Sequence, residues 1–142
     1  MMKQLSTGLS FLFFPATVLL AHLIASRVLH LYLIFPNLDI PFHFIGGLSI
    51  AYMSVSLLSF AIQEKLLPGS LPNSLSLVLI FTVTATATVF WEFAEFIADQ
   101  LMSTNIQVSL ANTMQDQFLG VLGGTTWIMI IARKFDISRA EK

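Results

Sequence analysis

Four stretches of this chain, residues 9–33, 41–62, 74–97 and 112–132, are apolar for about the length of a bilayer crossing. A spanning helix needs roughly 20 mainly apolar residues. Inside lipid every backbone N–H and C=O must find a partner within the structure, and an open strand cannot provide one. The pattern therefore predicts an all-α fold, a polytopic bundle of four transmembrane helices, with residues 1–142 as a single integral membrane domain. Composition agrees with this: 56% of the residues are hydrophobic, 11% are charged and the mean hydropathy is +0.81. A soluble domain carries roughly 25% charged residues.

The ends of the stretches carry boundary signals. Pro41 suits the first helical position of the second helix, where its missing N–H costs nothing. Leu67-Pro68-Gly69-Ser70-Leu71-Pro72-Asn73 reads as a turn, and Ser74 as the N-cap of the third helix. The first stretch is long and is interrupted by Pro15, His22 and Arg27. It reads either as one tilted or kinked span or as a span followed by an interfacial helix, with residues 25–38 continuing the span or lying at the interface. Lys3 ahead of an apolar run also resembles the start of a signal peptide, but the run is too long and a cleavage motif is missing, so a retained helix is expected.

Charge sets the orientation. With four spans, Lys3, Lys65, Arg133, Lys134, Arg139 and Lys142 share one side and Arg27 alone lies near the other. An excess of Lys and Arg marks the cytoplasmic side. Both termini are therefore expected there, in a multi-pass protein of a bacterial inner membrane. Nothing in the chain suggests nucleic-acid binding, because basic runs and aromatic-basic interleaving are absent. With no cysteine there are no disulfides, thiolate metal sites or cysteine nucleophiles.

Against that apolar background, six ionisable residues gather at one depth: Asp39, His43, Glu92, Glu95, Asp99 and Asp116. Ionisable groups at membrane depth are costly and mark functional sites by default. Glu92 lies about 27 Å along the third helix from Ser74 at 1.5 Å per residue, near its outer end. His43 and Asp116 each lie within about a turn of the outer start of their spans. Glu92, Glu95 and Asp99 share one helix face, continued inward by Thr88 and Thr84. Asp39 and His43 share another, continued by Gly47 and Ser54, and Asn112, Asp116, Gly120 and Gly123 form a third. Small residues such as Gly120-x-x-x-Gly124 let helices approach closely.

The outer layer thus sets five carboxylates against one arginine. Carboxylates this close repel one another unless protons or a cation intervene. One divalent metal ion held by His43, Glu92, Glu95 and Asp116 is the expectation, with Asp39 and Glu92 as catalytic carboxylates. Histidine with carboxylates suits Zn²⁺ or Mn²⁺, and oxygen alone suits Mg²⁺ or Ca²⁺. Structural roles compete at each position. His43 could pack or cap, and the glutamates could snorkel to water. Thr113-x-x-Asp116 has the form of a capping box worth about 1 kcal/mol. Asp99 reads as interfacial, Arg27 as a partner for the acids, and His22 and His30 as packing or interface residues.

The same segments carry a family resemblance. Asp39-Ile40-Pro41-Phe42-His43-Phe44 resembles the Asp-Lys-x-x-His-Phe signature of the VanZ-like family of small bacterial membrane proteins. Trp91-Glu92-Phe93-Ala94-Glu95-Phe96 and Asn112-Thr113-Met114-Gln115-Asp116, with Gly120 and Gly123, are more similar to the YjdF group of inner-membrane proteins. The resemblance covers about Asp39 to Gly124. It implies a helical membrane protein of four or five spans, and the VanZ founder is linked to glycopeptide resistance. Ile40 stands where that signature has Lys, the arginine ahead of the last Asp is absent, and Gly120 stands in place of Asn, so no anion-binding role carries over.

Two functional classes fit these residues. One is a metal-dependent enzyme acting on a lipid or lipid-linked envelope precursor that arrives from the bilayer. The other is a non-catalytic cation- or ligand-binding protein or a small transporter for protons or a cationic ligand.

Overall fold

A computed structural model describes residues 10–67, 69, 71–102 and 106–132 of the chain. Pro68 and Ser70 of the expected turn lie outside these residues. So do Lys3, Arg133, Lys134, Arg139 and Lys142, on which much of the orientation argument rests. Among the described residues there are four α-helices and no strand: α1 Phe13–Leu23, α2 Asp39–Gln63, α3 Asn73–Met102 and α4 Leu110–Ala132.

Two helical stretches, Pro36–Gln63 and Asn73–Met102, are long and apolar enough to cross a membrane, and Phe13–Val28 is a shorter apolar helix. α4 has the length, but Gln115, Asp116, Gln117 and its glycines dilute its apolar character.

Several boundaries differ from the sequence reading. The first stretch does not run as a helix to Leu33. After α1 the chain makes one π-helical turn, Ile24–Val28, closed by Leu29 N–H donating to Ile24 O at 2.9 Å. His30 then takes a left-handed conformation, φ 48°, and two short 3₁₀ turns, Leu31–Leu33 and Pro36–Leu38, lead into α2. Residues 25–38 are therefore a folded-back connection. α2 starts two residues before Pro41, which occupies its first turn, where backbone N–H groups have no partner within the helix. α3 starts at Asn73, one residue before the expected cap Ser74, and runs five residues past Ile97 to Met102. α4 starts at Leu110, two residues before Asn112.

The packing is inside-out relative to a soluble bundle. The fully buried side chains include Glu92, Asp116, Thr84, Ser49 and Ser76, with Ile80. Large apolar residues such as Phe13, Phe90, Phe93, Phe96 and Phe118 point outward. That distribution suits a lipid surround, where apolar side chains gain nothing by hiding. The buried hydroxyls are satisfied locally: Ser49 donates to Gly46 O at 2.7 Å, Ser54 to Ile50 O at 2.8 Å and Thr84 to Ile80 O at 2.8 Å.

Glycines set the closeness of α2, α3 and α4. A Cβ on Gly47 would land on the Gly120 carbonyl, and one on Gly123 would land on the Phe44 carbonyl. Cβ atoms on Gly120 and Gly124 would strike the methyls of Thr88 and Thr84. A small apolar core of Ala51, Ile80, Ile128 and Ile131 fills the other half of the bundle. The polar residues above the glycines are thereby brought within reach of one another.

Candidate functional site

His43 is the hub. It sits one turn above Gly47, where α2 comes closest to α4, and its side chain is 8% exposed. Its Nε2 lies 3.3 Å from Asp39 Oδ1 on the same helix and 4.0 Å from Asp116 Oδ2 of α4. Its Nδ1 lies 3.8 Å from Glu92 Oε1 of α3. Glu92 and Asp116 are each only 2% exposed. Three helices thus contribute to one buried cluster, and five of the six residues picked from the sequence belong to it.

The remaining carboxylates are positioned by donors. Trp91 Nε1 donates to Glu95 Oε1 at 2.8 Å. Gln107 Nε2 donates to Glu92 O at 2.9 Å and to Glu92 Oε2 at 3.3 Å. Asp99 stands apart from the cluster. Its two oxygens accept the N–H groups of Ile106 at 2.8 Å and Gln107 at 2.9 Å. It pins the segment that delivers Gln107 to Glu92, so its part is to position the loop, not to join the layer.

Donor atoms of Asp39, His43 and Asp116 lie within 4.8 Å of one another, and so do those of His43, Glu92 and Glu95. The expected ligand set of His43, Glu92, Glu95 and Asp116 is therefore split into two groups that share the imidazole. Among the described residues, buried atoms without a hydrogen-bond partner include His43 Nε2, Glu92 Oε1 and Asp116 Oδ1, all in this cluster. Such an atom costs about 1–3 kcal/mol unless a ligand or proton satisfies it.

Two sequence readings are revised. Thr113 and Asp116 do not form the α4 capping box. The helix begins earlier, Ser109 Oγ accepts the Asn112 N–H at 3.1 Å, and Asp116 lies nearly two turns inside, facing His43. Arg27 is exposed and forms no ion pair with the acids among the described residues, because the π turn sends it outward.

His22 packs, as read from the sequence, but the second tier it forms with Tyr32 was not foreseen. His22, 8% exposed, packs edge-on against Tyr32, Phe42 and Trp91, with ring centroids 5.7, 5.3 and 5.7 Å away. Tyr32 donates to Asp39 Oδ1 at 3.3 Å and lies 2.9 Å from His22 Nδ1. A phenol has one proton, so with that proton on Asp39 the imidazole Nδ1–H becomes the donor to Tyr32. Burial, and after it the Asp39 carboxylate, push the Tyr32 phenol up from its ordinary range, so it stays a donor. Gln107 was missed as well; a polar loop residue gives no sequence signal for such a contact.

Fold and site together define a class: a helical membrane protein whose buried layer is polar and whose surface is apolar. The chain belongs to the family described as "Predicted membrane protein (DUF2238)", which matches residues 2–136. No curated protein and no solved structure matches the chain.

Proposed function

We propose that the chain is a four-span protein of a bacterial inner membrane, with both termini cytoplasmic, that holds a divalent cation at His43 and uses it on a lipid or lipid-linked envelope precursor. One observation carries this reading. His43 Nε2, Glu92 Oε1 and Asp116 Oδ1 are buried, lack hydrogen-bond partners and belong to a single cluster rich in carboxylates. A cation on one side of the ring answers the unmet atoms there and offsets the mutual repulsion of the carboxylates.

The ring chemistry narrows the ligand set. A neutral imidazole has one lone pair and one N–H. The orphaned Nε2 makes His43 a ligand on the side of Asp39 and Asp116, leaving Nδ1–H toward Glu92. A carboxylate behind a ligating histidine fixes its tautomer and raises its basicity. Glu95 with Glu92 forms the alternative set if the ring ligates through Nδ1. A histidine-carboxylate donor set suits Zn²⁺ or Mn²⁺. Such an ion polarises a phosphoryl or carbonyl oxygen and activates water. Asp39, on the Nε2 side, is the carboxylate that would move a proton at that point, and Glu92, expected from the sequence to share this role, stands behind the ring at Nδ1.

The four-span topology rests on the lysine and arginine asymmetry and on the outward apolar faces of the helices. The likeness of the Asp39–Phe44 and Trp91–Phe96 segments to the VanZ-like and YjdF groups supports an envelope setting.

Metal analysis of purified protein tests the site. Stoichiometric Zn²⁺ or Mn²⁺ in the wild type, lost in His43→Ala and in Asp116→Ala, is the expected result. Metal retained in both variants removes the site. Metal-dependent cation uptake into liposomes, abolished in the same variants, moves the reading to transport. In a chain without native cysteine, labelling of a cysteine at position 100 from the cytoplasmic side alone overturns the orientation.

A further inference from the structure

α1 packs chiefly on α2 and leaves a wedge between itself and α3. The wedge is a cavity of about 390 Å³. That lies within the range of roughly 300–1,000 Å³ typical of small-molecule sites. Its long walls are apolar: Leu12, Ala16 and Leu19 on one side, Ile50 and Met53 on another. Polar chemistry gathers at one end, where His22, His43 and Trp91 line it. The hydroxyls of Ser49 and Thr88 also border it, but both donate to backbone carbonyls of their own helices. From Phe42 to Met53 the α2 wall advances about 16 Å at 1.5 Å per residue. That is about half of a hydrocarbon core of roughly 30 Å.

A shaft with these walls lacks the two to four polar partners that an ordered water needs along its length. Elongated, apolar and polar at one end only, it matches one alkyl chain with an oxygen-bearing head. We propose that the cavity seats one acyl chain of a membrane phospholipid, with its methyl end toward Leu12 and Met53 and its ester end at His22 and His43. This names the substrate class for the cation site and rests on that reading for what happens at the head. The seat of the chain itself depends on the cavity alone.

Gly46 makes the proposal testable. No atom lies within 4 Å of the position its Cβ would take, so this glycine faces the open space. Gly46→Phe sets a ring into the shaft from a Cβ position that meets no neighbour, and Ala16→Phe fills it from the opposite wall. Trp91 is one of two tryptophans, and Trp127→Phe leaves it as the sole reporter.

In phosphatidylethanolamine–phosphatidylglycerol vesicles containing phospholipid brominated on one acyl chain, Trp91 fluorescence is expected to be quenched. Most of that quenching should be lost in both filled variants. Equal quenching in wild-type and filled proteins overturns the acyl-chain site. Quenching by brominated free fatty acid but not by brominated phospholipid overturns the assignment to phospholipid. Metal content measured on the same samples separates the two readings. Quenching that is lost on filling, with no metal in any sample, sinks the cation site alone. Bound metal with quenching indifferent to filling sinks the acyl-chain site alone.

Discussion

Replacing Gly47 by alanine should pull the site apart from below. The new Cβ would sit 2.6 Å from the Gly120 carbonyl carbon and 2.8 Å from its Cα, and nearer still to its oxygen. Ordinary contact begins at 3.4 Å, so relief of the carbon contact alone needs α2 and α4 to part by about 0.8 Å, and the oxygen, nearer still, demands more. Both partners are backbone, so no side chain can swing away. Overpacking of this kind costs about 1–3 kcal/mol. His43 and Asp116 each stand one turn above the clash, so the separation also widens the 4.0 Å gap between them.

Gly46→Ala is the matched control. It meets open space and gains the roughly 0.8–1.0 kcal/mol helix preference of alanine over glycine. The two neighbouring substitutions should thus move the thermal unfolding midpoint of the detergent-solubilised protein in opposite directions. Divalent-metal affinity should fall in Gly47→Ala alone. If Gly47→Ala is as stable as Gly46→Ala and binds metal unchanged, close approach of the helices is not what builds the site.

Three further outcomes test its surroundings. Asp99→Ala removes the acceptor for two backbone N–H groups, and charge-assisted bonds of this type contribute about 1.5–3 kcal/mol each; hydrogen exchange should report faster amides at Ile106 and Gln107, and unchanged protection contradicts the clamp. Tyr32→Phe deletes the link between His22 and Asp39 at about 0.5–1.5 kcal/mol per bond; a lowered unfolding midpoint with metal still bound is expected, and complete loss of metal would make Tyr32 part of the site itself. Arg27→Ala, at an exposed position without an ion pair to the acids, should shift stability by no more than about 0.5 kcal/mol; a large drop in stability or in metal content restores Arg27 as their partner.

The linear chain carries the helical class and most members of the buried cluster, because both follow from local periodicity and from the cost of polar groups in lipid. Apolar runs of bilayer length permit little besides helices. The spacing of Asp39 with His43, and of Glu92 with Glu95, places each pair on one face whatever the tertiary arrangement. The stripe from Asp116 to Gly120 and Gly123 announced a close crossing, and the contacts of Gly47, Gly120 and Gly123 show where it occurs. Asp99 shared a face with the glutamates in sequence, but its role depends on where the following loop returns.

What the tertiary structure alone decided is the second tier and the division of the first. Read as one helix to Leu33, the first stretch puts Tyr32 about 15 Å along the axis from His22, ten residues at 1.5 Å each. The π turn and the left-handed His30 fold the chain back and leave them 2.9 Å apart. No periodicity encodes that reversal, because it depends on one turn whose hydrogen bond skips a residue. In the same way, spacing along α2 places His43 on the face it shares with Asp39 and Gly47 but cannot say which ring nitrogen meets which helix. That is set by how closely Gly47 lets α4 approach, and it turns a ring of acids into two groups that share a single imidazole.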